Sequence, residues 1–226
     1  MNLKHWLNTP TARALMALGF VVIVGCLLNA DGAFFRWGVH RDMLRQVSVY
    51  GILACGMTVV IITAGIDLSV SSLLALCAVS FAGLTLVFQW PALPAIALVL
   101  VVGATMGALS GCLVARFRLQ PFIVTLAMMV FARGLAKYLS GGRKITNYVL
   151  GPDGVATTID HPPIFGLIDT RICGDNLSVV TIIFLVCVAI TWVALARMRF
   201  GRYCYAIGGN KVAARLSGVP VQRTLV

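Results

Sequence analysis

Six stretches of this chain are each long and apolar enough to cross a lipid bilayer: Ala12–Ala30, Val47–Ile66, Ser69–Phe88, Ala92–Ala115, Pro121–Leu139 and Leu177–Ala196. A bilayer core takes about 20 helical residues at 1.5 Å each. Lipid offers no partner for a bare N–H or C=O, so stretches of this kind are confined to helices or closed barrels. These runs are continuously apolar and do not alternate, which selects helices. The composition agrees, with 60% of the 226 residues hydrophobic and only 11% charged. A soluble domain carries about 25% charged residues. The expected fold is an all-α, polytopic transmembrane bundle of about six spans.

Charge sets the orientation. The first span follows Lys4 and Arg13 and is longer than the apolar region of a cleaved leader, so it reads as a signal anchor. With the N-terminus inside, the inner segments hold Lys4, Arg13, Arg116, Arg118, Arg197, Arg199, Arg202, Lys211, Arg215 and Arg223. The outer segments hold Arg36, Arg41, Arg45, Arg143, Lys144 and Arg171. That asymmetry predicts cytoplasmic N- and C-termini. It also accounts for the +11 net charge without nucleic acid, since the basic residues lie between apolar runs. Three regions follow: a membrane domain over 1–196, an extracytoplasmic loop within it at 140–176, and a cytoplasmic segment over 197–226. The loop contains Asp153, Asp160, Asp169 and Asp175.

Several chemistries are excluded. All seven acidic residues are Asp, so a zinc-protease helix, a complete EF-hand loop and a Glu general base are impossible. No phosphate-cradling glycine motif of the P-loop or dinucleotide type occurs, which removes ATP hydrolysis from this chain. His5, His40 and His161 are scattered and share no local context with a nucleophile or carboxylate. The cysteines at 26, 55, 77, 112, 173, 187 and 204 include no C-x-x-C pair and read as small packing residues. Neither a catalytic residue, a metal site nor a bound cofactor is expected.

What remains are features of a path and of an interface. Gly103, Gly107 and Gly111 recur every four residues in the fourth span, a seam that lets helices approach closely. Asp67 lies where the second span gives way to the third. It reads either as a helix cap accepting from the N–H groups of Ser69 and Val70, or as an intramembrane acid at a helix break on a transport path. Ser69 belongs to the same candidate path. Arg133 and Lys137 share a face of the fifth span, one turn apart, where they either snorkel to the outer headgroups or line a hydrated route. After the sixth span, Asn210 can cap a short helix over 211–217, with Ala213 and Ala214 as helix formers, Gly218 as the left-handed stop and Pro220 forbidding continuation. The small residues leave one face flat enough for another protein to grip.

Three runs, in order, carry a resemblance: GMTVVIITAGIDLSVSSLLAL (56–76), RLQPFIVTLAMMVFARGLAKYLS (118–140) and RFGRYCYAIGGNKVAARLSGVPV (199–221). From about residue 34 to its end the chain resembles the permease subunits of bacterial ABC importers for monosaccharides of the ribose, xylose, arabinose and galactose type. The resemblance implies a multi-pass protein of the bacterial cytoplasmic membrane. It further implies a second permease, a periplasmic sugar-binding protein, and a separate ATPase subunit that binds the ATP. It makes Gly208, Gly209, Asn210, Ala213, Ala214, Leu216 and Gly218 the coupling helix that docks on that ATPase. Ser71 stands where the family usually has Gly. The family's domain extends further than these 226 residues, so its C-terminal part is expected to be missing here. An ion-coupled secondary carrier of a small polar solute, with Asp67 as its ion site, is the alternative.

Overall fold

A computed structural model describes residues 9–150, 156–158 and 162–226. Lys4, His5, Asp153, Asp160 and His161 lie outside the described residues. The chain divides into two compact units, Met1–Val47 and Ser48–Val226.

The first unit holds α1 (Pro10–Leu27), a 3-10 turn (Ala30–Phe35) and the opening turns of α2 (Trp37–Ile62). Thr9 caps α1 by accepting a bond from the Ala12 N–H at 3.3 Å, and Pro10 occupies the first turn, where its missing N–H does no harm. The Phe34 ring lies directly on Gly25, and its edge meets the His40 ring at 5.7 Å.

The second unit is the bundle. Beyond α2 it contains α3 (Val70–Ala82, extended by a π-helical stretch Gly83–Val87), α4 (Ala92–Arg116) and α5 (Pro121–Leu139). The loop follows, with β1 (Tyr148–Leu150) pairing antiparallel to β2 (Ala156–Thr158), α6 (Pro163–Asp169), and β3 (Arg171–Ile172) pairing antiparallel to β4 (Leu177–Ser178). The chain then re-enters as α7 (Val179–Arg197) and finishes in α8 (Arg199–Gly209), α9 (Lys211–Leu216) and α10 (Val221–Leu225). The spanning architecture is all-helical, and the β structure among the described residues is confined to those two small hairpins.

Among the described residues five helices are long and apolar enough to cross a membrane, and the apolar part of the first, Thr11–Leu27, is shorter. The first span ends earlier than expected, at Leu27 rather than Ala30, and both ends of α2 differ from the sequence expectation. α2 begins ten residues earlier, at Trp37 rather than Val47, because Arg41, Asp42 and Arg45 are compatible with helix although not with lipid. It also stops at Ile62, not Ile66, leaving an unwound connection where a near-continuous turn was expected.

The core forms where α3 meets α5 and α4. Leu76 of α3 is buried against Ala132 and Ala136 of α5, with Leu73, Val79, Val102 and Leu135 around them. Two alanines one turn apart do on α5 what a small-residue seam does in any lipid-embedded pair, drawing the backbones together without a hydrophobic drive. α7 is tied to α2 by a polar contact. The buried Ser48 hydroxyl donates to Thr181 Oγ1 at 3.1 Å, and Ser178 Oγ accepts from the Thr181 N–H at 3.2 Å. The Phe184 ring then seats on Gly51, where a side chain would collide with it. In the loop, Phe165 of α6 leans on Phe81 of α3 with ring centroids 5.6 Å apart.

Candidate functional site

One end of the bundle gathers the features of interest. α2 ends there, α3 and α5 begin there, and α8, α9 and α10 fold across it. Together with α4 they line a half-open cavity of about 600 Å³.

The first wall is the broken segment between α2 and α3. The last turn of α2 is closed by two bonds, Ala64 N–H to the Ile61 carbonyl at 2.9 Å and Gly65 N–H to the Val60 carbonyl at 3.0 Å. This double bond pattern is a Schellman closure, which places one residue in the left-handed region. Here that residue is Ala64, with φ +58°. The chain then runs unwound to Ser69. Asp67 Oδ1 accepts from the Ser69 N–H at 2.8 Å and from the Ser69 hydroxyl at 2.6 Å. The carboxylate therefore caps the approach to α3, through Ser69 alone and not through Val70 as well. Ser69 is buried and Asp67 half-buried at the cavity wall. A further link reaches α5, where Thr125 Oγ1 lies 2.9 Å from the Pro121 carbonyl and 3.3 Å from the Ile66 carbonyl of the break.

The second wall is α4. Its three spaced glycines have three different neighbours: Gly103 faces Cys77 of α3, Gly107 has open space beside it in the cavity, and Gly111 is covered by the main chain of Leu225 and Val226. Between the last two sits Ser110, buried, with no hydrogen-bond partner for its hydroxyl.

The floor is the terminal segment. Met198 turns the chain sharply out of α7, and Gly201 is required there because a Cβ would run into the Leu195 carbonyl. α8 is two-faced, with Gly201, Cys204 and Ile207 buried and Arg199, Arg202 and Tyr205 exposed. Burial pushes the Cys204 thiol above its ordinary pKa, against a smaller lowering by a backbone hydrogen bond, so it stays protonated. Gly208 lies against the Ile62 carbonyl, with no room for a side chain. Asn210 caps α9, its side-chain oxygen accepting from Val212 N–H at 2.9 Å and Ala213 N–H at 3.0 Å. Gly218 ends α9 at φ +82°, in a second Schellman closure made by Gly218 N–H to Arg215 and Val219 N–H to Ala214. Ile207, Ala214 and Val221 form a small core that holds α8, α9 and α10 together.

The expected coupling residues therefore separate. Gly208 and Ala214 face inward, Asn210 and Gly218 shape the ends, and Gly209, Ala213 and Leu216 are exposed. Val212, 70% exposed, joins Leu216, 84% exposed, on the outer face, and is not among the coupling residues expected from the sequence. Its signal was available: it lies four residues before Leu216, on the same side of a helix. Of the candidate path residues, Asp67 lines the cavity and is bonded to Ser69, while neither Ser69 nor Arg133 lines it. Arg133 lines a separate shallow groove of about 240 Å³ along α5 with Lys137, Met129, Val130 and Gly134. Among the described residues no cluster of His, Cys or Asp could hold a metal ion.

The described residues form a helical membrane bundle with a short terminal helix, capped by Asn210, near a broken span. The chain belongs to the family described as branched-chain amino acid transport system / permease component, whose profile matches residues 41–226. It is a multi-pass inner-membrane protein. It is similar to the ribose import permease protein RbsC of Escherichia coli K12, 36% identical over 222 residues, which cover 97% of this chain and 64% of that one. The fructose import permease protein FruG of Bifidobacterium longum is 37% identical over 95% of this chain and 61% of its own length. The inner membrane ABC transporter permease protein YjfF of Escherichia coli K12 is 34% identical over 89% of this chain and 57% of its own. The chain thus spans somewhat under two thirds of the length of these relatives. No solved structure matches it.

Proposed function

We propose that the chain is the membrane-spanning permease subunit of an ATP-binding-cassette importer that carries a monosaccharide, pentose or hexose, by alternating access. The observation that carries this reading is the outer face of α9, where Val212 and Leu216 stand exposed on a short helix closed at both ends. Apolar side chains on a rigid turn, flanked by the exposed cations Lys211 and Arg215, suit a groove in a partner protein better than they suit water. An ATPase subunit is that partner, and it supplies the nucleotide chemistry for which this chain has no motif. This chain's contribution is a difference in free energy between outward- and inward-open states, which ATP binding next door biases.

In this reading the N- and C-termini face the cytoplasm and the chain crosses six times, α1 included. A short span is accommodated by local thinning of the bilayer. The loop at 140–176 meets a sugar-binding protein outside, and a second permease, identical or homologous, completes the pathway. Ribose and fructose in the names of the relatives support a monosaccharide as cargo. Asp67 and Ser69 border the route at its inner end.

The test is co-purification in mild detergent with the cognate ATPase. Retention that is lost in Ala213→Arg and Gly209→Trp supports the docking face, since both positions are exposed and have room for a side chain. Retention unaffected by either substitution removes α9 from the interface. No ATPase binding, together with solute uptake that collapses when the ion gradient is dissipated, replaces the reading with the ion-coupled carrier.

A further inference from the structure

If an ATPase grips the outer face of α9, its motion has to reach the spans through some contact, and the inner face of α8 supplies one. Gly208 lies main chain to main chain against the carbonyl of Ile62, the final residue of α2. A side chain at 208 has nowhere to go. At Gly209, one residue further on, there is nothing within 4 Å of a Cβ. The lack of a side chain is thus a requirement of contact at the first position and not at the second.

Ile62 is also where α2 gives way. Two residues on, Ala64 adopts a left-handed conformation at φ +58°, which disfavours any residue with a Cβ. The closure of the helix therefore opposes a local strain and is open to rearrangement by a modest push. Beyond it, Asp67 is bound to Ser69 by two hydrogen bonds, which tie the segment to the start of α3, and the Ile66 carbonyl lies 3.3 Å from Thr125 Oγ1 of α5, whose single proton is nearer the Pro121 carbonyl at 2.9 Å.

We propose that Gly208 is a positioning residue: through its seat on the Ile62 carbonyl, a displacement of α8 and α9 by the ATPase resets the break at 63–69 and moves Asp67 at the cavity wall. The inference rests on the docking reading above, and the experiment separates the two. Amide hydrogen exchange is followed by mass spectrometry on the unmodified chain in detergent, with and without the cognate ATPase. Docking protects 211–216. The proposal further requires exchange over 63–69 to change on ATPase addition, by about tenfold, a coupling of ordinary size between linked sites. Protection of 211–216 with no change over 63–69 overturns the proposal and leaves docking intact, whereas no protection at either place overturns docking itself.

A second arm uses Gly208→Ala and, as a control elsewhere on α2, Gly56→Ala, where nothing lies within 4 Å of a Cβ. Gly208→Ala is expected to keep the ATPase and the protection of 211–216 while losing the response over 63–69, and Gly56→Ala is expected to keep both. A response that persists undiminished in Gly208→Ala overturns the proposal. Where Gly208→Ala does not yield folded protein, the unmodified chain still decides the matter.

Discussion

Two helix ends at the same end of the bundle are closed by the same pair of hydrogen bonds, and they differ in the residue placed at the turning point. α9 ends on Gly218 at φ +82°, and α2 ends on Ala64 at φ +58°. Glycine adopts this conformation freely, whereas an L-residue with a Cβ is penalised by roughly 1–2 kcal/mol. α5 sides with α9, closing on Gly141 at φ +60° with Gly142 N–H bonded to the Lys137 carbonyl at 2.8 Å. The relaxed closures therefore lie at the end of α5 and in the terminal α8–α10 segment, and the strained one lies between α8 and Asp67. Under the proposal above, the helix end that holds its shape is the one built without strain, and the one that changes shape is the strained one.

The sharpest way to break this contrast is to force a branched side chain onto the relaxed end. Gly218→Val is expected to destabilise the α8–α10 segment by about 2 kcal/mol, because the left-handed position rejects a β-branched residue. The checks are a lowered thermal midpoint in detergent and weaker retention of the ATPase. Next in size is the bracing of the strained end. Asp67→Ala removes both bonds to Ser69 and is expected to cost about 1 kcal/mol, the value of a lost helix cap, read as faster exchange of the Ser69 amide. Asp67→Asn, which retains an accepting oxygen, is expected to lose less. The smallest effect has the opposite sign. Ala64→Gly relieves the left-handed strain but adds freedom to the unfolded chain, and a net gain of about 0.5 kcal/mol is expected. A loss of stability on Ala64→Gly would show that the strain at α2 is already relieved by its surroundings.

How much of this was legible in the sequence depends on whether the cause was local. Lipid demands long apolar runs, so the five long apolar helices among the described residues could be placed from the chain itself, whereas the run expected at Ala12–Ala30 forms a shorter apolar helix, Thr11–Leu27. The end of α9 was legible for a similar reason: Asn210, Gly218 and Pro220 act on their own backbone within a few residues. The end of α2 was not, because Ala64 carries no hint of a left-handed turn and the apolar run passes straight through it. The contact of Gly208 with Ile62 joins positions far apart in the chain, and no spacing rule reaches that far. Arg133 was grouped with Asp67 only as another charge in an apolar setting, and the helix that carries it turns it into a groove of its own. α8 escaped notice because its buried line of Gly201, Cys204 and Ile207 follows an α7 that is apolar all round, so the change from a lipid-facing pattern to a two-faced one falls at a single residue, Met198.

The π-helical stretch at the far end of α3 has a consequence for how this chain tolerates changes of length. Phe88 N–H reaches back five residues to the Gly83 carbonyl at 3.0 Å, so this turn contains one residue more than an α-helix needs. Deleting a single residue within 83–87 converts the turn to ordinary helix and leaves both flanks facing as they do now. The same deletion in the middle of α4 or α5 would rotate everything downstream onto the wrong neighbours. Homologues that differ by one residue in this span are therefore expected to have gained or lost it here.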